Sequence, residues 1–369
     1  MKKLLALILT LIFAVMPLSG CEGGYKYFEL ELEGKYNKDL AGTELNVYNW
    51  GEYISDGNYD LMNVNKEFEK LTGIKVNYTT FESNETMYSQ LENGGVSYDI
   101  VIPSDYMIER LIKEDMLKKI DTKSLSNYNQ IAEEYKGLYF DPNEEYSVPY
   151  NVGMVGIIYN SRYIKDIEHS WGVLWDKKYK NMVLNFNNPR DAFMTAQMYL
   201  GQNGLNSTDK KDWDAAAESL KKQKANLQSY VMDEVYGKME TGEAYIAPYY
   251  AGDFLTMYET NSDLAFFYPE EGTNIFVDSI CIPKSAQNYK AALVYINFLL
   301  EPQVALHNAE YIGYASPNTA VINNEDYYYY GNEILYPKKE DMPTAWYYND
   351  IDEEIRKYYE ELWLDIKLY

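Results

Sequence analysis

The sequence predicts an α/β protein of two lobes whose chain crosses between them more than once. Three observations carry this reading. From Thr43 to Ile112 the apolar spacing switches between strand and helix periods as β-α-β-α-β-α, the mark of a parallel sheet with helical connections. A second series of strand and helix candidates follows the run VPYNVGMVGIIY (148–159). No long Pro/Ser-rich linker separates the two series, so two lobes in a chain of 369 residues are expected to be joined by the chain crossing back and forth.

Each element follows from its residues. Glu22 to Ala41 is polar and glycine-containing and reads as a tether. Thr43 to Trp50 is a strand. Leu61, Val64, Phe68 and Leu71 share one helical face, and Gly73 supplies the stop. Ile74, Val76, Tyr78 and Thr80 alternate as a strand, and Asn84 can cap a helix running through Leu91 to Gly94-Gly95. Tyr98 to Ile102 is a short strand broken by Pro103, and Ile108, Leu111 and Ile112 mark the next helix. The glycine-broken run 148–159 leaves the first lobe for the second. There, Met182 to Phe186 and Tyr245 to Tyr250 are strand candidates, and Trp213, Ala216, Ala217 and Leu220 mark a helix. Ile280 to Pro283 leads into a helix over Ala291 to Leu300, stopped by Pro302. Ile351, Ile355, Tyr358, Leu362 and Ile366 form a closing amphipathic helix.

The first residues stand apart. Lys2 and Lys3 precede the apolar stretch Leu4 to Pro17, too short to span a bilayer comfortably, and Leu18-Ser19-Gly20-Cys21 follows. Small residues before a cysteine in this position resemble a bacterial lipobox. That resemblance implies export, cleavage after residue 20 and lipidation of Cys21, with about 0.8 kcal/mol of anchoring per buried CH₂. The other cysteine, Cys281, sits in the apolar run SICIP and reads as a small buried hydrophobe, so no intrachain disulfide is expected.

Composition narrows the chemistry. A net charge of −24 opposes nucleic-acid binding and suits a cationic ligand. Two histidines, His169 and His307, lie far apart without metal-like spacing, and the four arginines offer few clamps for carboxylate or phosphate. G-x-S-x-G, H-E-x-x-H, Walker and G-x-G-x-x-G motifs are absent, so no cofactor or metal is expected.

The strand ends carry the positive signal, since ligands of open α/β sheets sit beyond the carboxyl ends of strands. Trp50 and Tyr53 follow the first strand, and Ser104, Asp105 and Tyr106 follow the third. Asn188, Arg190 and Asp191 stand at a strand-to-helix corner, with Arg190 expected to pair with Asp191 or a neighbouring acid. Tyr250 and Asp253 end another strand, and Phe276 and Asp278 share a face if extended. Rings and carboxylates with few cations suit a flexible diamine or triamine. An ammonium gains about 0.5–2 kcal/mol over a ring and about 4 kcal/mol of Coulomb attraction from a carboxylate at about 4 Å and an effective dielectric of about 20. A secreted hydrolase using two carboxylates, and a receptor for a sugar or another organic cation, remain as alternatives.

The stretches YNWGEY (48–53), FESNETMY (81–88), YDIVIPSDYMIERL (98–111), DPNEEYSVPY (141–150), VDSICIP (277–283), INFLLEPQVA (296–305) and IGYASPN (312–318) resemble bacterial spermidine/putrescine-binding proteins, the extracytoplasmic receptors of polyamine ABC importers. The resemblance runs from Thr43 to the C-terminus. It implies the type II periplasmic-binding-protein fold, two α/β lobes joined by crossing strands, and no enzymatic activity. The n-region, lipobox and tether readings give 1–20 as signal peptide and 21–42 as lipid anchor and tether, and the family resemblance implies 43–153 plus 279–322 as one lobe and 154–278 plus 323–369 as the other. The ligand cage it implies consists of Trp50, Tyr53, Ser104, Tyr106, Asn188, Asp191, Tyr250, Asp253, Phe276, Asp278, Tyr314 and Tyr347, with Asp278 gripping a terminal ammonium. Gly51 replaces a hydroxyl residue of the family, Asn188 an acid, Tyr250 and Phe276 tryptophans, and Tyr347 an amide. An acid fewer at Asn188 and an acid at Asp253 favour putrescine over spermidine. The implied partners are the permease and ATPase subunits of an importer and the membrane under the lipid anchor. The implied receptor is a monomer at the outer face of the cytoplasmic membrane or in the periplasm.

Overall fold

A computed structural model describes residue 32 and residues 34–202 and 205–369. Residues 1–20, read as a signal peptide, and Cys21, read as the lipidation site, lie outside the described residues. The end of the stretch read as a tether is docked: Tyr36 packs edge-on against Phe298, and Glu301 accepts from Lys35 Nζ (2.5 Å) and from the Tyr36 hydroxyl (2.8 Å).

The first parallel series is β1 (Glu44–Trp50), α1 (Val64–Thr72), β2 (Lys75–Phe81), α2 (Asn84–Asn93), β3 (Ile100–Val101) and α3 (Asp105–Lys113), with β1 central between β2 and β3. Strand alternation sorts its residues: Leu45 and Val47 enter one core with Val64, Phe68 and Leu71 of α1, while Tyr48 enters the other with Phe81 and Met107. Gly73 closes α1 at φ 73°, donating its N–H to the Glu69 carbonyl. Ser83, one residue before Asn84, is the cap of α2, accepting from the Thr86 N–H. This frees the Asn84 side chain for the site below.

After β4 (Leu117–Lys118) comes β5 (Ser147–Asn160), one continuous 14-residue strand. Its glycines do not break it. A Cβ on Gly153 would lie 2.3 Å from Phe276 Cζ, and one on Gly156 2.2 Å from Phe266 Cζ, so both glycines make room for rings.

The second series is β6 (Val183–Phe186), α4 (Pro189–Tyr199), α5 (Lys210–Lys224), β7 (Leu227–Val231), α6 (Glu234–Glu240), β8 (Ile246–Tyr250), α7 (Ala251–Thr260) and β9 (Leu264–Phe267). The chain returns along β10 (Thr273–Pro283), of which the sequence signalled only the last residues. Then follow α8 (Tyr289–Leu299), α9 (Pro302–Ile312), α10 (Thr319–Ile322), β11 (Ala345–Trp346) and α11 (Glu353–Leu368). Pro302 opens α9 at its first turn, as well as following α8. The buried stripe of α11 is Ile355, Tyr359, Trp363 and Ile366, so Tyr358 and Leu362 lie off it.

The strand order is β2-β1-β3-β10-β5-β8-β6-β7. Two parallel wings therefore flank a central antiparallel pair, β10 and β5, that extends into both. The register of that pair shifts at Asp278/Ser279, where Asp278 faces Asn151 and Ser279 faces Pro149, leaving Tyr150 as the extra residue of a bulge.

Candidate functional site

The carboxyl ends of β1, β3, β6 and β8 all turn toward the central pair, and the strand-end residues meet there. Asp278 lies on β10 at the bulge, 3% exposed. Its Oδ2 accepts from the Tyr53 hydroxyl at 2.6 Å, and Ser104 bridges its backbone from the end of β3. Its Oδ1 is buried without a hydrogen-bond partner among the described atoms. Burial pushes Asp278 up to about 6, against the hydroxyls of Tyr53 and Ser104, which pull it down.

Asp191 and Asp253 come from the first turns of α4 and α7. Asp191 Oδ2 accepts from the Tyr250 hydroxyl (2.6 Å) and Asn188 Nδ2 (3.0 Å), and Oδ1 from the Tyr348 hydroxyl (2.9 Å). Asp253 Oδ1 accepts from the Tyr236 hydroxyl at 2.6 Å and Oδ2 from Tyr314. Burial raises both acids, Asp253 to about 6. Among the described residues none of the three forms an ion pair; their partners are hydroxyls and an amide.

Rings join the acids into one seam. Tyr250 meets Phe276 at 5.5 Å between centroids, Phe276 meets Tyr314 at 6.1 Å, and Tyr314 meets Tyr53 at 5.7 Å. Two glycines set the spacing: Gly153 lies under Phe276, and a Cβ on Gly252 would lie 2.3 Å from Tyr314 Cδ2. At the first-wing side, Asn84 donates to Ser104 Oγ (3.1 Å) and the Tyr106 hydroxyl (3.2 Å), and that hydroxyl donates to Glu85 (2.9 Å). Trp50 donates its indole N–H to the Ile102 carbonyl at 2.9 Å and packs on Phe81.

Residues 97–332 match the family described as bacterial extracellular solute-binding protein. The chain belongs to that family. Its members are substrate-binding transport proteins and not enzymes, which removes the hydrolase alternative. This solute-binding protein is 37% identical over 324 residues to the spermidine/putrescine-binding periplasmic protein of Salmonella typhimurium, covering 86% of this chain and 91% of the relative. It is 29% identical over 296 residues to the putrescine-binding periplasmic protein PotF of Escherichia coli, covering 75% and 78%. Among solved structures it is similar to the spermidine/putrescine ABC transporter substrate-binding protein PotD of Streptococcus pneumoniae, with a TM-score of 0.75 at 34% identity over 89% of this chain and 99% of that one. It is also similar to the TpPotD lipoprotein of Treponema pallidum, with a TM-score of 0.77 at 26% identity over 88% and 100%. The fold is the two-lobed periplasmic-binding-protein fold with crossing strands. Among the described residues no helix is long and apolar enough to cross a membrane.

The solute-binding protein departs from the sequence expectation at several positions. Arg190 does not pair with Asp191; its Nη2 donates to the Leu205 carbonyl (3.0 Å) and Asn206 Oδ1 (2.8 Å). Tyr347 turns its ring to Tyr139 at 5.4 Å, and the next residue, Tyr348, is the one whose hydroxyl reaches Asp191. Tyr236 was missed as a site group, and Asp105, though noted at its strand end, was left out of the expected cage. Tyr236 lies on α6, a helix without a strand-end signal. Asp105 is fully buried, its Oδ1 accepting from the Tyr106 N–H (2.7 Å) and its Oδ2 from the Val277 N–H (3.3 Å). Its place in PSDY, at a strand end, was the signal that could have found it. Burial first, and then the nearby Asp278 charge, push Asp105 well above the carboxylate range.

Proposed function

We propose that this protein binds a polyamine, putrescine and/or spermidine, in the tyrosine–carboxylate seam between its lobes, and delivers it to the permease and ATPase subunits of an ABC importer. One observation carries the reading. Asp191, Asp253 and Asp278 are held by tyrosine hydroxyls in place of protein cations, and Asp278 Oδ1, with only the Ser104 hydroxyl near it, forms no hydrogen bond among the described residues. Buried carboxylates are ordinarily paired or neutralised. A flexible dication supplies the missing charge at both ends of the seam, and its methylenes suit the faces of Tyr250, Phe276, Tyr314 and Tyr53. Tyrosine hydroxyls whose protons are committed to carboxylates present only lone pairs to a ligand, which an ammonium satisfies and an anion does not.

In this reading Trp50, Ser104, Tyr106, Asn188 and Tyr347 complete the cage, and the lobes comprise 43–153 plus 279–322 and 154–278 plus 323–369. The receptor is a monomer, anchored through a lipid on Cys21 at the outer face of the cytoplasmic membrane. Asn188 and Asp253 favour putrescine as the preferred ligand. A micromolar affinity requires about −8 kcal/mol, within reach of two ammonium–carboxylate contacts and a buried butyl stem after ordering costs.

Titration calorimetry on protein lacking residues 1–21 is the test. Saturable binding of putrescine or spermidine with a rise in melting temperature is expected. Absence of heat and of thermal shift for both at millimolar concentration rules the ligand assignment out.

A further inference from the structure

Arg190 and Asp191 are neighbours at the start of α4, both buried, yet they do not touch as an ion pair. Consecutive side chains on a helix point apart, but a long guanidinium in a low-dielectric interior can bend back toward a neighbouring carboxylate unless something stands between them. Arg190 does not lack a donor, because its Nε is buried without a partner. The obstacle is Tyr348. The guanidinium carbon sits 4.6 Å from the Tyr348 ring centroid, in a box completed by Trp213 (5.7 Å) and Tyr359 (5.9 Å). The hydroxyl of the same ring donates to Asp191 Oδ1 at 2.9 Å.

Tyr348 is itself clamped. Asn206 Nδ2 donates to the Tyr347 carbonyl (2.9 Å), and Asn206 Oδ1 accepts from the Asn349 N–H (2.7 Å) as well as from Arg190. One amide thus fixes the backbone on both sides of Tyr348 and anchors the guanidinium. Tyr106 packs edge-on against the ring from the opposite wing at 6.1 Å.

We infer that Tyr348 is a positioning residue whose ring keeps the Arg190 guanidinium off Asp191, reserving that carboxylate for an incoming cation. This rests on the proposed polyamine site, and it explains how an arginine is tolerated beside a carboxylate meant for a ligand.

Three variants separate ring from hydroxyl and shield from scaffold. Tyr348→Phe keeps the ring and loses one hydrogen bond, so putrescine affinity is expected to fall by about threefold. Tyr348→Leu opens the path from Arg190 to Asp191 and is expected to lose roughly 30-fold or more, since a protein cation then occupies the ligand's carboxylate. Adding Arg190→Met to Tyr348→Leu removes the competing cation. Affinity is then expected to return most of the way, without recovery of the melting temperature. A scaffold role predicts the reverse, no rescue of affinity without rescue of stability, and equal losses for the Phe and Leu variants; either result overturns the inference.

A readout without ligand keeps this test apart from the polyamine reading. Carboxyl ¹³C NMR follows the titration of Asp191, which is faced by Tyr250, Tyr348, Asn188, Glu85 and Arg190. In the wild type its midpoint lies above the ordinary carboxylate value. Tyr348→Leu is expected to lower it, and the double variant to raise it again. Asn206→Leu, which loosens the guanidinium and the clamp on Tyr348 together but retains the ring, shifts it the same way by less and serves if the Leu variant does not fold. An unmoved Asp191 midpoint in all of them overturns the shield. If the wild type binds neither polyamine, the ligand reading fails while the NMR result still decides the role of Tyr348.

Discussion

The surface and the seam of this protein treat their acids in opposite ways. On the surface, carboxylates meet lysines: Lys119 with Glu145 (2.6 Å), Lys210 with Glu354 (2.6 Å), Lys284 with Asp115 (2.8 Å). Such pairs are solvated and screened by salt, and contribute little to stability. In the seam, Asp191, Asp253 and Asp278 meet tyrosine hydroxyls and no cation among the described residues, where desolvation is severe. Tyrosine hydrogen bonds hold these charges in place without neutralising them. The interior therefore stores unneutralised negative charge, and under the proposed function that stored charge is the ligand's binding energy.

Breaking the comparison at its extreme gives the largest expected effect. Asp278→Ala leaves one ammonium dry and unpaired, a loss of about 3–5 kcal/mol, or roughly 100-fold or more in affinity. Glu145→Ala on the surface should leave affinity unchanged. Calorimetry on the two variants reads the contrast directly, and comparable affinities for both would place the site elsewhere.

Protonation tests the same contrast with a definite sign. Asp253 and Asp278 are raised to about 6 in the folded protein. Their contribution to the stability of the unliganded protein is complete below the unfolded value near 4 and is lost as pH rises through 6. Affinity for a dication runs the other way, because binding requires both groups ionised. Between pH 7 and pH 5 each group is expected to weaken binding about tenfold. The ligand-induced rise in melting temperature should therefore shrink on acidification while the unliganded protein becomes more stable. An affinity that stays flat from pH 7 to pH 5 contradicts the assignment of these two acids.

Packing sharpens the seam further. Gly153→Ala would put a Cβ 2.3 Å from Phe276 Cζ, displacing a ring wedged between Tyr250 and Tyr314. Overpacking costs about 1–3 kcal/mol, so roughly tenfold weaker binding with a lowered melting temperature is expected. Gly51→Ala, with nothing within 4 Å of its Cβ, should be silent in both measurements.

How much of this was legible in the sequence follows from what each signal depends on. The first wing was readable because its strands and helices obey local periods and end on Gly73 and Gly94. Strand ends pointed to Tyr53, Ser104, Asp191, Tyr250 and Asp253, since a parallel sheet sends its carboxyl ends to one edge, whereas Asp278 lies inside the antiparallel strand β10 and was signalled by the face it shares with Phe276. The length of β10 was not legible: Thr273 and Asn274 look like loop residues and are held in the sheet by pairing with β11, some 70 positions away. Tyr236 and Tyr348 escaped for a similar reason. Their hydroxyls reach Asp253 and Asp191 from segments whose local pattern says nothing about the distant acid. Choosing between Tyr347 and Tyr348 requires the clamp by Asn206, which is 141 residues from Tyr347.

Between surface and seam lies an intermediate case, and it carries the smallest effect. Asp350 joins Lys113 (3.2 Å) and Arg356 (2.6 Å), and its N–H donates to Glu109 Oε2 at 2.7 Å. Glu109 and Lys113 lie on α3, the helix that begins beside Ser104, while Asp350 follows Tyr348 by two residues. This rim network ties the first wing to the C-terminal segment that presents Tyr348 to Asp191. Lys113 is 53% exposed and Asp350 only 13%, so the pair feels both solvent and protein. If the network helps hold the lobes together over a ligand, Asp350→Asn speeds release and weakens binding by about two- to fivefold at low salt. Because exposed charges are screened within about 10 Å at 0.1 M salt, the gap between variant and wild type should close in 0.5 M NaCl, whereas the loss in Asp278→Ala should persist there. Stopped-flow release rates at the two salt concentrations distinguish them, and a salt-independent defect in Asp350→Asn would move that acid from the rim to the interior class.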